Sequence, residues 1–215
     1  MSSVIIAGNT SGSITLSAPA VSGSSVLTLP ASTDTLVGKA TTDTLTNKSI
    51  AATQLTGTIA AAALPAGSVL QVVNFQTGAV ATGTTTIPYD DTIPQITEGT
   101  EFMTLAITPK FATSRLLITV TCNIAGAVNQ ATVTALFQDS TANALAVVCE
   151  MNITGGYPVS PTLIFSKISG TTSSTTFRVR GGGNSAGTMT FNGTVGARLY
   201  GGVIASTITI MEIAV

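Results

Sequence analysis

Residues 176–180, Thr-Phe-Arg-Val-Arg, alternate polar and apolar side chains. Successive side chains of a β-strand point to opposite faces of its sheet, so this alternation is typical of a strand buried on one face. Other runs after residue 67 have the same length and the same content of Val, Ile and Thr. The predicted strands are residues 69–75, 102–108, 116–124, 131–137, 145–153, 162–168, 175–180, 188–191 and 207–213.

Turn-forming residues separate these runs, notably at 108–110, 155–158, 181–184 and 201–202. Gly, Pro and Asn in such positions indicate reversals of the chain, and no run shows the periodicity of an amphipathic helix. Many short strands without helices predict an all-β protein. We therefore expect residues 67–215 to form an antiparallel β-sandwich head, with a jelly roll as the expected topology.

Residues 1–66 have a different pattern, with short apolar pulses at 4–6, 14–16 and 26–29 between Ser, Gly and Pro residues. A short unit repeats, as 34–39 (DTLVGK) is followed by 43–48 (DTLTNK). Such a unit cannot bury its own apolar side chains and needs neighbouring copies. We expect an extended, β-rich attachment and trimerisation arm. The run 59–64 (IAAAAL) fits either one helical turn or a closely packed axial segment.

Composition indicates an assembly protein, because 44% of the residues are hydrophobic and only 8% are charged. Few charges mean little electrostatic cost when chains associate. The net charge of −1 excludes a basic surface for nucleic acid. No apolar run approaches the roughly 20 residues of a membrane-spanning helix. The first residues lack the features of a secretory signal, so we expect synthesis in a cytoplasm.

The chain contains no histidine, which removes the usual general base and the usual zinc ligand. The sequence therefore predicts no enzyme, no metal site and no cofactor. Asp90, Asp91, Glu98 and Glu101 lie close together in the sequence. We expect a solvated loop there, with a cation site or a pair of catalytic carboxylates as alternatives.

Two cysteines, Cys122 and Cys149, lie in predicted strands. A protein made without export is expected to keep its cysteines reduced, so we expect two buried thiols, with a disulfide as the alternative.

Several stretches along the chain resemble tail fibres of tailed bacteriophages. They are 11–16 (SGSITL), 27–30 (LTLP), 43–50 (DTLTNKSI), 76–79 (QTGA), 86–94 (TIPYDDTIP), 105–109 (LAITP) and 206–213 (STITIMEI). The resemblance implies a virion location, trimeric assembly and an adhesive or structural role, and it carries over no catalytic residue. This chain is short and has no extended shaft.

The predicted function is that of a tail-fibre-like structural virion protein, a homotrimer that attaches to the host surface through several weak sites. Its expected partners are phage tail or baseplate proteins and a bacterial surface glycan. The candidate receptor-binding residues are Tyr157, Arg178, Arg180, Asn184 and Tyr200. One alternative is a trimeric decoration protein bound to the major capsid protein on the capsid surface. A glycan depolymerase is the other alternative.

Overall fold

The structure is a computed structural model that describes residues 3–7, 10–17, 24, 26, 31, 49–51, 57, 59–153 and 155–215. The chain divides into two compact units, Met1–Thr56 and Gly57–Val215. In the first unit, β1 (Ser3–Ala7) pairs antiparallel with β2 (Ser13–Ser17), where the sequence has its first two apolar pulses. The repeat predicted at 34–48 and the pulse at 27–29 lie outside the described residues.

The second unit consists mainly of strands, and every strand predicted after residue 67 is present. They are β3 (Val69–Thr77), β4 (Ala81–Gly83), β5 (Thr100–Ile107), β6 (Arg115–Thr121), β7 (Ile124–Ala125), β8 (Gln130–Gln138), β9 (Ala146–Asn152), β10 (Pro158–Val159), β11 (Thr162–Ile168), β12 (Thr175–Gly183), β13 (Met189–Phe191), β14 (Gly193–Thr194), β15 (Ala197–Arg198) and β16 (Ser206–Ile213). Ala61–Ala63 and Tyr200–Gly202 form single 3-10 turns. None of the helices within the described ranges has the length and apolarity to cross a bilayer.

The eight long strands form two antiparallel sheets. The first sheet has the order β11-β6-β16-β3 and the second the order β5-β12-β8-β9. If the long strands are counted along the chain, the sheets read 6-3-8-1 and 2-7-4-5, which is the strand order of a jelly roll. The predicted antiparallel sandwich is therefore confirmed. A small third sheet, β10-β7-β13-β4, continues from the β11–β6 pair at one end of the sandwich.

The core lies between the two long sheets and follows the period of two expected for half-buried strands. In β16, Ile208 and Ile210 are fully buried and alternate with partly exposed Thr207 and Thr209. They pack in one cluster with side chains from β6 and β12, including Leu116, Ile118, Val120, Phe177 and Val179.

A buried hydrogen-bond network closes the end where the first sheet meets the small sheet. Asn192, which is fully buried, donates from Nδ2 to the carbonyl oxygens of Thr77 at 2.7 Å and Ala79 at 3.2 Å. Its Oδ1 accepts a bond from Ser206 Oγ at 2.7 Å, and that hydroxyl accepts one from the Asn123 amide at 2.8 Å. Because buried polar groups destabilise a fold unless they are paired, this network defines how the sheets join.

Glu212 is a fully buried carboxylate on β16 that holds the loop between β5 and β6. Its Oε1 accepts bonds from Ser114 Oγ at 2.6 Å and from the amides of Lys110 at 2.7 Å and Phe111 at 3.1 Å. Its Oε2 accepts a bond from Gln71 Nε2 at 2.5 Å. Burial alone would raise the pKa of Glu212, but these four hydrogen bonds outweigh burial and lower it.

Glu212→Gln replaces an acceptor oxygen with a donor that faces other donors, so we expect a loss of about 1 to 3 kcal/mol in the free energy of unfolding at neutral pH. Since the folded-state pKa is lowered, the carboxylate stabilises the fold above its unfolded pKa of about 4.3. That contribution disappears as pH falls through the folded-state pKa. Urea denaturation at several pH values measures both effects.

The control for this test is Glu150→Gln, which changes an exposed carboxyl on β9. If the free energy of unfolding differs between the wild type and Glu212→Gln by the same amount down to low pH, this account of Glu212 is contradicted.

Candidate attachment surface

On the outer face of the second sheet, residues 84–99, which we call the flap, cover β8 and the end of β12. Ile87 in the flap is fully buried and packs against Val133 and Phe137 of β8. The Ile87 amide donates to the carbonyl oxygen of Gly183 at 3.0 Å, and the Ile96 amide donates to that of Ala142 at 2.7 Å. The flap thus gives β8 a second buried face, which is why nearly all of this strand is buried.

Gly182 of β12 allows the flap to lie on the sheet, and Gly183 leaves room for the Gln130 side chain of β8. A Cβ atom on Gly182 would lie 2.8 Å from the carbonyl oxygen of Thr85 and 3.0 Å from the Ile87 amide nitrogen. A Cβ atom on Gly183 would lie 2.3 Å from Gln130 Nε2. The turn predicted at 181–184 is therefore wrong for Gly181–Gly183, which are buried strand residues that permit close approach of another segment.

Asp90 and Glu98 of the flap each accept hydrogen bonds from a nearby residue, and Asp91 is exposed. Asp90 Oδ1 accepts bonds from Thr92 Oγ1 at 2.5 Å and from the Thr92 amide at 2.9 Å, which lower the pKa of Asp90. Glu98 Oε2 accepts a bond from the Gln95 amide at 2.9 Å. In the part of the chain that the structure describes, no three His, Cys, Asp or Glu residues gather as a metal site would require.

Two of the predicted receptor-binding residues, Arg178 and Arg180, project from the same face of β12 and pair with Glu101 of the neighbouring strand β5. Arg178 Nη1 lies 3.1 Å from Glu101 Oε1, and Arg180 Nη1 lies 3.5 Å from Glu101 Oε2. Arg180 also donates to the carbonyl oxygens of Glu98 and Gly99, each at 2.8 Å. Arg180 therefore fastens the end of the flap, whereas Arg178 pairs with β5, and a role of either residue in receptor binding stays a hypothesis.

The other three predicted receptor-binding residues lie in separate loops. Asn184 Oδ1 accepts a bond from the Ala131 amide at 3.0 Å, so its side chain fastens the end of β12 to β8. Tyr157 lies just before β10 and is 69% exposed, and Tyr200 follows β15 and is 77% exposed. Only Arg178 and Arg180 share a partner among the predicted residues, and the two tyrosines remain candidates because their rings are accessible.

Both cysteines are free thiols, and only Cys122 is buried. Burial raises the pKa of the Cys122 thiol to about 12. The prediction that Cys149 is buried is wrong. It lies on β9, the edge strand of the second sheet, and is exposed.

The outer face of the first sheet has no cover within the described Gly57–Val215 unit and is rich in apolar side chains. We call this surface the open face. Its outward apolar residues are Val69, Val72, Leu117, Ile164, Ile168, Met211 and Ile213. Ile164 is 67% exposed and Val72 is 53% exposed. Across its four strands, all of which the structure describes in full, Arg115 is the single charged residue that points outward.

Comparison with known proteins identifies the family. Residues 83–215 match the family described as the Pgp3 C-terminal domain, which is more than half of the 215-residue chain. The chain belongs to the Pgp3 C-terminal domain family. The matched Pgp3 region starts at the last residue of β4 and contains every later strand of the head. No curated protein matches the chain.

Three solved structures have a low similarity to this Pgp3-type chain. Dimeric latent PorU from Porphyromonas gingivalis is 6% identical, with 70% of this chain and 13% of that chain covered and a TM-score of 0.36. The VP2 subviral particle of infectious bursal disease virus is 11% identical, with 69% of this chain and 38% of that chain covered and a TM-score of 0.32. The enzymatically active domain of bacteriophage CBA120 tailspike protein 4 is 14% identical, with 60% of this chain and 19% of that chain covered and a TM-score of 0.24. The chain thus spans well under half of each protein. At TM-scores this low, the similarities carry no argument about function.

Gly182→Ala should detach the flap or displace β12, because the new methyl group would overlap the backbone of Thr85 and Ile87. We expect a loss of about 1 to 3 kcal/mol in the free energy of unfolding and faster proteolysis within residues 84–99. Urea denaturation and limited proteolysis with mass spectrometry measure these effects. Gly187→Ala is the control, since its Cβ atom would meet only the movable end of Gln130 at 3.3 Å. Equal effects of the two substitutions would contradict the role given to Gly182.

Proposed function

We propose that this protein is a tail-fibre-like structural virion protein, without catalytic activity, that works as a homotrimer and attaches a phage to its host surface. The observation that carries the proposal is the open face, an apolar sheet surface without a partner in its own unit. Exposed apolar patches of this kind are typical of protein interfaces.

The charge and composition of the open face favour a second copy of the chain as its partner. The face carries a single charge, that of Arg115, so burial requires little desolvation of charged groups. Its remaining polar residues are hydroxyl and amide side chains, among them Thr119, Thr209 and Asn74. A chain with only 8% charged residues has little electrostatic repulsion between its copies.

Three-fold symmetry requires the open face to meet a different surface of the next copy, because a ring is built from heterologous contacts. The edge strand β9 and its continuation offer such a surface. Val147, Met151 and Ile153 are exposed there, between 43% and 71%. Contact between this edge and the open face of the next copy would cover an exposed strand edge as well as an apolar face.

The resulting trimer would present three copies of its end loops to one cell surface. Linked weak sites bind far more tightly than one site when all can engage together. This arrangement supports an attachment role for the exposed loop residues Tyr157 and Tyr200.

Leu117→Glu places a carboxylate in the middle of the open face, and we expect it to convert the trimer into a monomer at micromolar concentration. The fold of each head should remain intact, because Leu117 points away from the core. Sedimentation velocity measures the oligomeric state, and circular dichroism verifies the fold. Ser173→Glu, in the exposed loop after β11, is the matched control and should remain trimeric. A wild-type protein that is monomeric in the same experiment would overturn the trimer.

Immunogold electron microscopy of intact virions tests the proposed location. Label at the tail or baseplate would support a fibre. Label over the capsid would instead support a decoration protein, and the fibre proposal would be wrong. Virions without label would contradict a virion protein of either kind.

A further inference from the structure

A cavity of about 470 Å³ lies at the end of the sandwich next to the small sheet. Its floor is formed by paired residues of β7 and β13, Ala125 and Thr190. Its walls come from three loops, which contribute residues 126–128, Gly156, and Val195 with Gly196. None of its lining residues is charged, and its size lies within the usual range of small-molecule sites.

The tip of the β14–β15 hairpin carries a strained apolar residue at the rim of this cavity. Val195 and Gly196 form a two-residue turn with φ angles of +48° and +74°. Turns of this kind favour Asn at the first position, because a β-branched side chain is unfavourable at positive φ. Val195 is nevertheless 86% exposed, so burial in the core of the head does not offset the strain. Strained residues of this kind concentrate at functional sites.

Two buried amide side chains hold the loops of the cavity in place. Gln130 accepts a bond from the Ala127 amide at 3.0 Å and donates to the carbonyl oxygen of Ser185 at 2.6 Å. Asn152 accepts a bond from the Gly155 amide at 2.7 Å and donates to the carbonyl oxygen of Tyr157 at 2.8 Å. The walls are therefore ordered before a ligand arrives, which reduces the entropy lost on binding.

We infer that this cavity binds a neutral sugar residue of a surface glycan. A sugar ring has apolar C–H faces and a rim of hydroxyl groups, and the cavity offers matching groups. Ala125, Val128 and Val195 provide apolar contact, whereas the exposed hydroxyl group of Thr188 provides a hydrogen bond. The exposed ring of Tyr157, next to Gly156, is available to stack on an adjoining sugar.

The uncharged lining of the cavity disfavours acidic or phosphorylated ligands. The lining has no Lys or Arg residue to pair with an anion and no carboxylate to pair with an amine. Arg178 and Arg180, the two positively charged residues among the receptor-binding candidates, are bound to Glu101 instead. The inference rests on the proposed attachment function and specifies the class of receptor.

The test uses the full chain and a panel of methyl glycosides of neutral hexoses and N-acetylhexosamines, with glucuronic acid as the charged comparison. Saturation-transfer NMR identifies binding, and titration gives the dissociation constant. We expect at least one neutral sugar to bind and glucuronic acid to bind at least tenfold more weakly. If no neutral sugar binds to the wild-type protein, the inference is wrong.

Val195→Asn separates binding from stability. Asn tolerates positive φ, so the melting temperature should rise by about 2 to 4 °C, whereas the loss of the apolar rim should weaken sugar binding at least tenfold. Ala127→Glu, which places a carboxylate at the exposed wall of the cavity, should weaken binding to a similar degree. Unchanged binding in both variants would overturn the inference.

Failure of the sugar-binding inference can be distinguished from failure of the proposed attachment function. Sugar binding by a protein located on the capsid would refute the fibre and leave the cavity site intact. A trimer located at the tail that binds none of the sugars would support the fibre and refute the cavity site.

Discussion

Each sheet of a jelly roll buries one face in the shared core, and the way its other face is covered determines the remaining features of this protein. The flap covers the outer side of β8 and the end of β12 from within the chain, with Ile87 packed on β8 and the flap end bound by Arg180. The outer face of the first sheet carries exposed apolar residues and has no such cover within the described Gly57–Val215 unit. The difference between the two sheets is the physical basis for proposing assembly.

The positions of the few charged residues follow the same difference between the covered second sheet and the open first sheet. Glu101 forms ion pairs with both arginines of β12, and Glu212 is buried among hydrogen-bond donors beneath the first sheet. These charges hold segments within one chain. The open face and the end cavity are almost free of charge, which suits an apolar interface in one case and an uncharged ligand in the other.

Local pattern predicted most of the strands because most long strands are half-buried, so their sequences show a period of two. Two-residue strands such as β10 and β14 are too short to show a period of two. Gly181–Gly183 suggested a turn because glycine is frequent in turns, whereas the requirement at Gly182 is the approach of Thr85, far away in sequence. The role of Glu212 had no local signal, because its partner Ser114 is 98 positions distant. The projection of Arg178 and Arg180 from one face was predicted, but their shared partner Glu101 was not.

Methionine oxidation of the wild-type protein tests the central claim, that the open face is buried between copies. Met211 lies on that face and is partly exposed in the single chain, whereas Met103 and Met189 are buried in the core. Peroxide treatment followed by peptide mass spectrometry gives the oxidation rate of each residue. We predict that Met211 is oxidised as slowly as Met103 and Met189. A Met211 that is oxidised severalfold faster than these two core residues would contradict burial of the open face.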